Sequence, residues 1–310
     1  MTSRRVAAID CGTNSIRLLI ADIFPERSVA ADITRRMTIV RLGEGVDRTG
    51  RLADAAIDRT IAALREFQEL IREHSPEAVR MVATSATRDA ENATEFTRRV
   101  KEVLGVPPEV VSGDEEAALS FTGATRELIS AAESPYLVTD IGGGSTEFVA
   151  GGAGGVTTAR SVDIGCVRMT ERHLHGNPPA GAEIAAATAD IDSALETVAA
   201  AIPVGEAKTL VGLAGSVTTV AGIALGLDHY DSERIHHSMV SAARAHAIAE
   251  RLLSQTRAER AAIGVMHPGR VDVIGAGALI LDRIMTRFGF AEVLVSEHDI
   301  LDGIAWSLVQ

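Results

Sequence analysis

Aromatic residues are only 3% of the 310-residue chain: one tryptophan, two tyrosines and seven phenylalanines. The cores must therefore be built from Ala, Val, Ile and Leu, which suits helices packed on a largely parallel sheet. Cysteine is equally scarce. Cys11 and Cys166 lie far apart, each beside a glycine, which excludes a disulfide framework and a zinc spacing. A small buried role is expected for Cys11, with a redox-sensitive one as the alternative. No stretch reaches the ~18 uninterrupted apolar residues of a membrane helix, so no membrane partner is expected. The basic start, Met1-Thr-Ser-Arg-Arg-Val6, looks like a signal peptide, but Asp10 cuts its apolar run short, and a cytoplasmic protein is expected. Positive charge is also in deficit, with 30 Lys and Arg against 42 Asp and Glu and a net charge of −12. That argues against the broad basic face that nonspecific nucleic-acid binding needs. A polyanionic substrate would require local arginines and a metal ion to overcome this field. Arg17, Arg88, Arg168 and Arg270 stand beside the glycine loops.

What the chain does have is a repeated pattern, Asp-x-Gly-x-x-Ser, in Asp10-Cys-Gly-Thr-Asn-Ser15 and Asp140-Ile-Gly-Gly-Gly-Ser145, 130 residues apart. Each copy follows a short apolar run, Val6–Ile9 and Tyr136–Thr139. A strand that breaks into a glycine turn gathers backbone N–H groups into an anion-binding nest, and a hydroxyl beside them adds a donor. A carboxylate at the strand tip can hold a divalent cation that bridges to phosphate. A second pair, Ala83-Thr-Ser-Ala-Thr87 and Ala214-Gly-Ser-Val-Thr218, recurs at an offset of 131. Two motifs in the same order at nearly one offset indicate two homologous halves, the alternative being chance likeness of two strand-to-turn junctions.

Hydrophobic periodicity predicts strands at residues 5–9, 16–23 and 29–40, an amphipathic helix at 54–73, a strand at 79–83 and a helix at 92–104. A short strand at 109–111 precedes a helix that Ser112 opens and that runs to about residue 130. The second half predicts strands at 137–140, 146–150 and 156–162, a helix at 182–202, a strand at 209–213 and a helix at 216–225. Helices at 242–253 and 271–288, a strand at 292–295 and a helix from about 299 complete it. Gly151 to Gly155 reads as a hairpin turn. Strands come first in each half and alternate with helices later, the mark of a mixed α/β sheet.

These motifs carry a resemblance. Asp10-Cys-Gly-Thr-Asn-Ser-Ile-Arg17, Ala83-Thr-Ser-Ala-Thr-Arg-Asp-Ala-Glu-Asn92, Ser112-Gly-Asp-Glu-Glu-Ala117, Asp140-Ile-Gly-Gly-Gly-Ser-Thr-Glu147, Gly165-Cys-Val-Arg168, Gly212-Leu-Ala-Gly-Ser-Val-Thr-Thr219 and Ser296-Glu-His-Asp-Ile-Leu-Asp-Gly303 span nearly the whole chain. Together they resemble the exopolyphosphatase/guanosine pentaphosphatase family, within the actin-like ATPase and sugar-kinase superfamily. The resemblance implies an α/β fold of two ribonuclease-H-like (actin-like ATPase) domains, with mixed sheets flanked by helices and a phosphate cleft between them. It places one domain at residues 1–123 plus 298–310 and the other at 124–297, with the C-terminal helix returning to the first. Longer relatives append helical domains that supply a polyphosphate channel, which is not expected within these residues. Asp299 is expected to cap the last helix.

Hydrolysis of a terminal phosphoanhydride needs a nest for the phosphates, a cation, a group that activates water, and in-line geometry. Glu116 matches the second glutamate of the family's Glu-Glu pair, which implies a role as the catalytic base. Glu115, about 100° away on the helix, should point elsewhere. Both glutamates would also suit a helix N-terminus without any catalytic role. Asp140 and Glu147 are the expected metal ligands. They suit Mg²⁺, with Mn²⁺ as the other cation considered, because such ions keep waters and substrate oxygens in their shell. The alternative for Glu147 is an exposed strand position. Thr13, Asn14, Ser15 and Arg17 should hold one phosphate and Gly143, Gly144, Ser145 and Thr146 another. Gly215 and Ser216, at a helix N-terminus, form a third anion site. Arg88 can fork onto phosphate oxygens; the alternative is an ion pair with Asp89 or Glu91.

The activity implied is release of orthophosphate from inorganic polyphosphate. Guanosine pentaphosphate is the alternative substrate, and an actin-like-fold kinase or ATPase the alternative class. A homodimer is expected because relatives form them.

Overall fold

The apolar strand runs follow from sheets covered on both faces. The computed structural model describes residues 3–126, 128 and 132–309. The chain divides into two compact units, Met1–Arg126 with His298–Gln310, and Glu127–Glu297. Among the described residues no helix is long and apolar enough to cross a membrane.

The first unit contains β1 (Arg4–Cys11), β2 (Ser15–Phe24), β3 (Val29–Ile39), α1 (Val46–Thr49), α2 (Asp54–His74), β4 (Ala78–Ala83), α3 (Ser85–Arg88), α4 (Ala93–Leu104), β5 (Glu109–Val110) and α5 (Gly113–Thr125), with a C-terminal helix at Ile300–Ser307. Its sheet has the order β3-β2-β1-β4-β5. The first three strands form an antiparallel meander, and β4 and β5 continue parallel to β1. Successive β1 side chains alternate between faces. Ala7, Ile9 and Cys11 pack with Ile57, Ile61, Leu64, Phe67 and Phe96 of α2 and α4. Val6 and Ala8 pack with Leu119 of α5 and Ile300, Ile304 and Trp306 of the C-terminal helix. Ser112 caps α5 by accepting from the Glu115 amide, and three acidic residues in the first turn suit the helix dipole. The expected end of that helix near residue 130 lies outside the described residues.

The second unit repeats the plan. It contains β6 (Tyr136–Ile141), β7 (Thr146–Gly152), β8 (Gly155–Val162), α6 (Cys166–His173), α7 (Gly181–Ala201), β9 (Thr209–Leu213), α8 (Ala214–Ala224), α9 (Ser232–Ile235), β10 (Met239–Ser241), α10 (Ala242–Ser254), α11 (Arg257–Ala261), α12 (Ile274–Phe288) and β11 (Glu292–Val295). Read from the other edge, its sheet runs β8-β7-β6-β9-β11-β10. The meander β6-β7-β8 and the parallel strands β9 and β11 match β1-β2-β3, β4 and β5 in order and direction. Among the described residues, the one strand added is antiparallel β10 at the edge. Both units are mixed sheets flanked by helices with the ribonuclease-H-like strand order, and the two motif pairs fall at equivalent strand ends. The turn between β7 and β8 is the hairpin expected at Gly151 to Gly155.

The C-terminal helix is held against α5 by backbone contact. A side chain on Gly123 would overlap the Asp299 carbonyl, and one on Gly303 would overlap the Leu119 carbonyl. At the same end, Asp302 takes Arg35 of β3 at 2.5 Å. Burial alone would raise the Asp302 pKa, but the charges of Arg35 and His298 reverse it and hold the carboxyl below its ordinary value.

Two stability predictions follow from this contact. Gly303→Ala should lower the urea-unfolding free energy by about 1–3 kcal/mol, the cost of overpacking where backbone cannot retreat; an unchanged midpoint would exclude the close approach. Because the Asp302 pKa is depressed on folding, its contribution is complete above the unfolded carboxylate value of ~3.9 and is lost as pH falls through the lower folded value. Asp302→Asn should therefore be less stable at neutral pH and lose less stability between pH ~4 and ~2 than the unaltered chain, as read from urea midpoints across pH.

Candidate functional site

Each hairpin ends in a glycine turn that sets two residues side by side. In the antiparallel register of β1 and β2, Asp10 lies opposite Arg17. In β6 and β7, Asp140 lies opposite Glu147. Directly opposed residues share a face of the sheet with Cβ atoms about 4.5–5.5 Å apart. The same spacing therefore yields an acid–base pair in one unit and a pair of acids in the other.

In the first unit, Asp10 is 4% exposed. Arg17 donates to its Oδ2 from Nε at 3.0 Å and Nη2 at 2.6 Å, and from Nη1 to Asp299. Burial pushes the Asp10 carboxyl above its ordinary value; Arg17 pulls it back and the Asp299 charge adds to the rise. Burial works against charge on Arg17 as well, but Asp299 and Asp10 hold its pKa well above the usual guanidinium value. The turn itself is closed by the Gly12 amide donating to Ser15 O at 3.0 Å. Asn14 O accepts from the Val40 and Arg41 amides, and Thr13 O from the Gly43 amide. The carbonyls are thus turned to the neighbouring loop, while the Thr13 and Asn14 N–H groups have no protein acceptor among the described residues. That is the arrangement of an anion nest. Thr13 Oγ1 and Ser85 Oγ share a buried hydrogen bond of 2.9 Å, tying the turn to the start of α3. Cys11 is fully buried, and burial pushes its thiol pKa up, which removes the thiolate a redox role requires.

Glu116 is 8% exposed in the first turn of α5 and accepts from Arg88 Nη1 at 3.0 Å. The same Nη1 donates to the Val111 carbonyl at 3.0 Å. Arg88 is thus paired with Glu116, a partner that spacing along the chain does not suggest. Its Nε and Nη2 have no protein acceptor among the described residues. Glu115 turns away and pairs with Arg80 at 2.9 Å, as its helical offset requires.

In the second unit, Asp140 and Glu147 are 7% and 2% exposed, so Glu147 is not an exposed strand residue. Glu147 Oε1 accepts from Ser161 Oγ of β8 at 2.7 Å. Asp140 and Glu147 thus set two buried carboxylates side by side. Their hard oxygen donors fit Mg²⁺ or Mn²⁺ with waters and substrate oxygens completing the shell. Among the described residues no group of three His, Cys, Asp or Glu is placed to hold a metal.

The adjoining turn, residues 142–145, lies against the start of α6. Gly142 O accepts from the Cys166 amide at 2.9 Å, and Gly143 O from the Val167 and Arg168 amides at 2.8 and 3.1 Å. Gly165 makes this contact possible, because a side chain there would overlap the Gly143 backbone. Arg168 Nε donates to Gly144 O at 2.7 Å. With carbonyls on α6, the Gly143 and Gly144 N–H groups have no protein acceptor among the described residues. Ser145 and Thr146 are buried, and Thr146 Oγ1 donates to the Ile164 carbonyl. At the end of neighbouring β9, Ala214 takes φ 65°, a left-handed conformation that costs about 1–3 kcal/mol, and α8 begins. The Arg270 guanidinium fills the space a side chain on Gly215 would need, and its Nη1 donates to Thr219 Oγ1 at 3.2 Å. Ser216 is buried, fills the space beside Gly277 and bonds the Cys166 thiol.

Each unit therefore gathers its own expected residues. Thr13, Asn14, Ser15 and Arg17 surround one turn, with Arg88 and Glu116 paired at the start of α5. Asp140, Gly143, Gly144, Ser145, Thr146 and Glu147 surround the other, with Gly215 and Ser216 at the start of α8. Residues absent from that expected set are Ser85, Ser161, Arg168, Arg270 and Asp299. For Arg168 and Arg270 the signal was a basic residue near a glycine loop in an acidic chain. Ser85 lay in the repeated Ala-x-Ser-x-Thr pattern. Asp299 caps the last helix as expected, but neither its contact with Arg17 nor that of Ser161 with Glu147 had a local signal.

A model of the Ppx/GppA phosphatase family matches residues 20–310. Exopolyphosphatase 2 of Mycobacterium tuberculosis is 49% identical over 319 residues that cover 99% of both chains. The crystal structure of an exopolyphosphatase-like protein superposes with a TM-score of 0.92 at 43% identity, covering 98% of each chain. That of the Aquifex aeolicus member of the Ppx/GppA family superposes at 0.82 with 31% identity, covering 99% of this chain and 98% of that one. With the motifs, the strand order and these full-length relatives in agreement, the chain belongs to the Ppx/GppA phosphatase family.

Proposed function

We propose that the protein is an exopolyphosphatase, a hydrolase that releases orthophosphate from the end of inorganic polyphosphate. The observation that carries this reading is the buried Asp140–Glu147 pair beside a glycine turn whose Gly143 and Gly144 N–H groups have no protein acceptor among the described residues, in a chain 49% identical to an exopolyphosphatase over 99% of its length. Guanosine pentaphosphate is disfavoured as the main substrate, and a kinase or ATPase activity has no support among these whole-length relatives. The protein is proposed to act in the cytoplasm as a homodimer.

Glu116 serves as the base. It accepts a proton from water as the oxygen attacks the terminal phosphorus, and the bridging P–O bond breaks in line. The products are orthophosphate and a chain one phosphate shorter. Arg88 orients the Glu116 carboxylate through Nη1, and its other N–H groups are suited to phosphate oxygens. Thr13, Asn14 and Ser15 bind one phosphate, Gly143, Gly144, Ser145 and Thr146 another, and Gly215 and Ser216 a third, through N–H groups and hydroxyls. Asp140 and Glu147 would hold Mg²⁺ or Mn²⁺, which would supply positive charge to the phosphate oxygens when bound.

Glu116→Gln should lower phosphate release from polyphosphate by about 10³-fold or more while leaving polyphosphate affinity within a few-fold, since only the proton acceptor is removed. Substantial turnover in that variant would assign the base elsewhere. Glu147→Ala should shift the Mg²⁺ concentration for half-maximal activity upward by about tenfold or more; an unchanged requirement would remove Glu147 from the metal site. Phosphate release from polyphosphate, guanosine pentaphosphate and ATP, compared side by side, decides the substrate, and a preference for either nucleotide would overturn the exopolyphosphatase reading.

A further inference from the structure

We propose that Asp299 is a positioning residue for the first anion loop, acting through Arg17 on Asp10. The proposal rests on the reading of that loop as part of a phosphoanhydride hydrolase, and it changes the role of Arg17 from phosphate ligand to clamp.

Asp299 sits where the C-terminal helix begins and is 3% exposed. Its Oδ1 caps the helix by accepting from the Leu301 amide at 3.0 Å, and its Oδ2 accepts from Arg17 Nη1. Its own carbonyl lies against Gly123, so the helix start cannot shift without breaking backbone contact. The other two nitrogens of Arg17, Nε and Nη2, both grip Asp10 Oδ2. All three guanidinium nitrogens are therefore engaged with two buried carboxylates. A planar, always-charged fork held in this way cannot turn to a phosphate without leaving two buried acids unpaired, which is strongly disfavoured.

The cluster of one guanidinium and two carboxylates has a formal charge of −1, so Arg17 offers an approaching phosphate little attraction. What the cluster does instead is fix the end of β1. Asp10 is two residues before Gly12, where the anion turn starts. A rigid line thus runs from the C-terminal helix through Asp299, Arg17 and Asp10 to the N–H groups of Thr13 and Asn14. The Arg35–Asp302 pair ties the same helix to the same sheet but ends on β3, away from the turn. Because Asp302 Oδ2 also accepts from the Asp299 amide at 3.0 Å, the comparison for a purely structural effect is made at Arg35, which leaves that cap in place.

The test is a kinetic double-mutant cycle. Asp299→Asn keeps the capping oxygen and the volume while removing the charge. Its kcat should fall about tenfold or more, with KM moving less than about threefold, because geometry is lost rather than a substrate contact. Arg17→Gln should fall by a similar factor, and the double variant no further than either, since the two residues act as one unit. Arg35→Gln should lower the urea midpoint yet keep kcat within about twofold. The proposal is overturned if Asp299→Asn retains the unaltered kcat, if Arg35→Gln loses as much kcat as Asp299→Asn, or if the losses in the double variant multiply. It is also overturned if Arg17→Gln changes KM alone, which would put the guanidinium on the substrate. Should Asp299→Asn fail to fold, Asp299→Ser, which also caps, is judged by the same criteria. The series is run on whichever of polyphosphate, guanosine pentaphosphate and ATP the unaltered protein hydrolyses. A wrong substrate assignment then appears as a different preferred substrate, and a wrong role for Asp299 as an unchanged kcat.

Discussion

The register of two short hairpins governs the chemistry of the whole molecule. A glycine turn after a strand-end aspartate places the residue seven positions later directly across from it. Where that residue is Arg17, the acid is neutralised and becomes part of the scaffold. Where it is Glu147, two buried negative charges meet and the position is suited to a cation. The same strand order recurs in the two units, and the opposite charge at the facing position gives them different chemistry. A one-residue slip in either hairpin would send the opposed side chains to opposite faces and abolish both arrangements.

In this acidic chain the donors that the two turns offer are backbone groups. At both turns the carbonyls are consumed by neighbouring elements: the 40–43 loop in the first unit and the start of α6 in the second. The N–H groups then form the concave side. Arg168 and Arg270 add positive charge at the second unit's loops while being held by Gly144 O and Thr219. Small residues make these contacts possible. Gly165 admits the α6 start, and Gly215 leaves room for the Arg270 guanidinium.

Much of this was legible in the sequence. The paired motifs located both glycine turns, and apolar runs located the strands, because sheets covered on both faces require near-continuous hydrophobic segments. Helical boundaries followed from turn chemistry, as where Gly105 ends α4 with φ 79°. Other features have no local code. α6 is eight residues long and exists because its amides reach the glycine turn, so periodicity could not announce it. The edge strand β10 has three residues and is defined by pairing with β11. The Asp10–Arg17 and Asp140–Glu147 pairs were visible as equal spacings, but their meaning required the hairpin register. The Arg17–Asp299 link joins residues 282 apart, and only the folded chain brings them together.

The division of the first unit has a consequence for synthesis. One face of its sheet, with Val6, Ala8, Leu19 and Leu119, is completed by Ile300, Ile304 and Trp306. Those residues leave the ribosome after the entire second unit. The later half of the protein can therefore assemble on a contiguous stretch while the earlier half waits with an apolar surface uncovered. The nascent chain must keep that surface from associating with other chains until translation has passed Trp306.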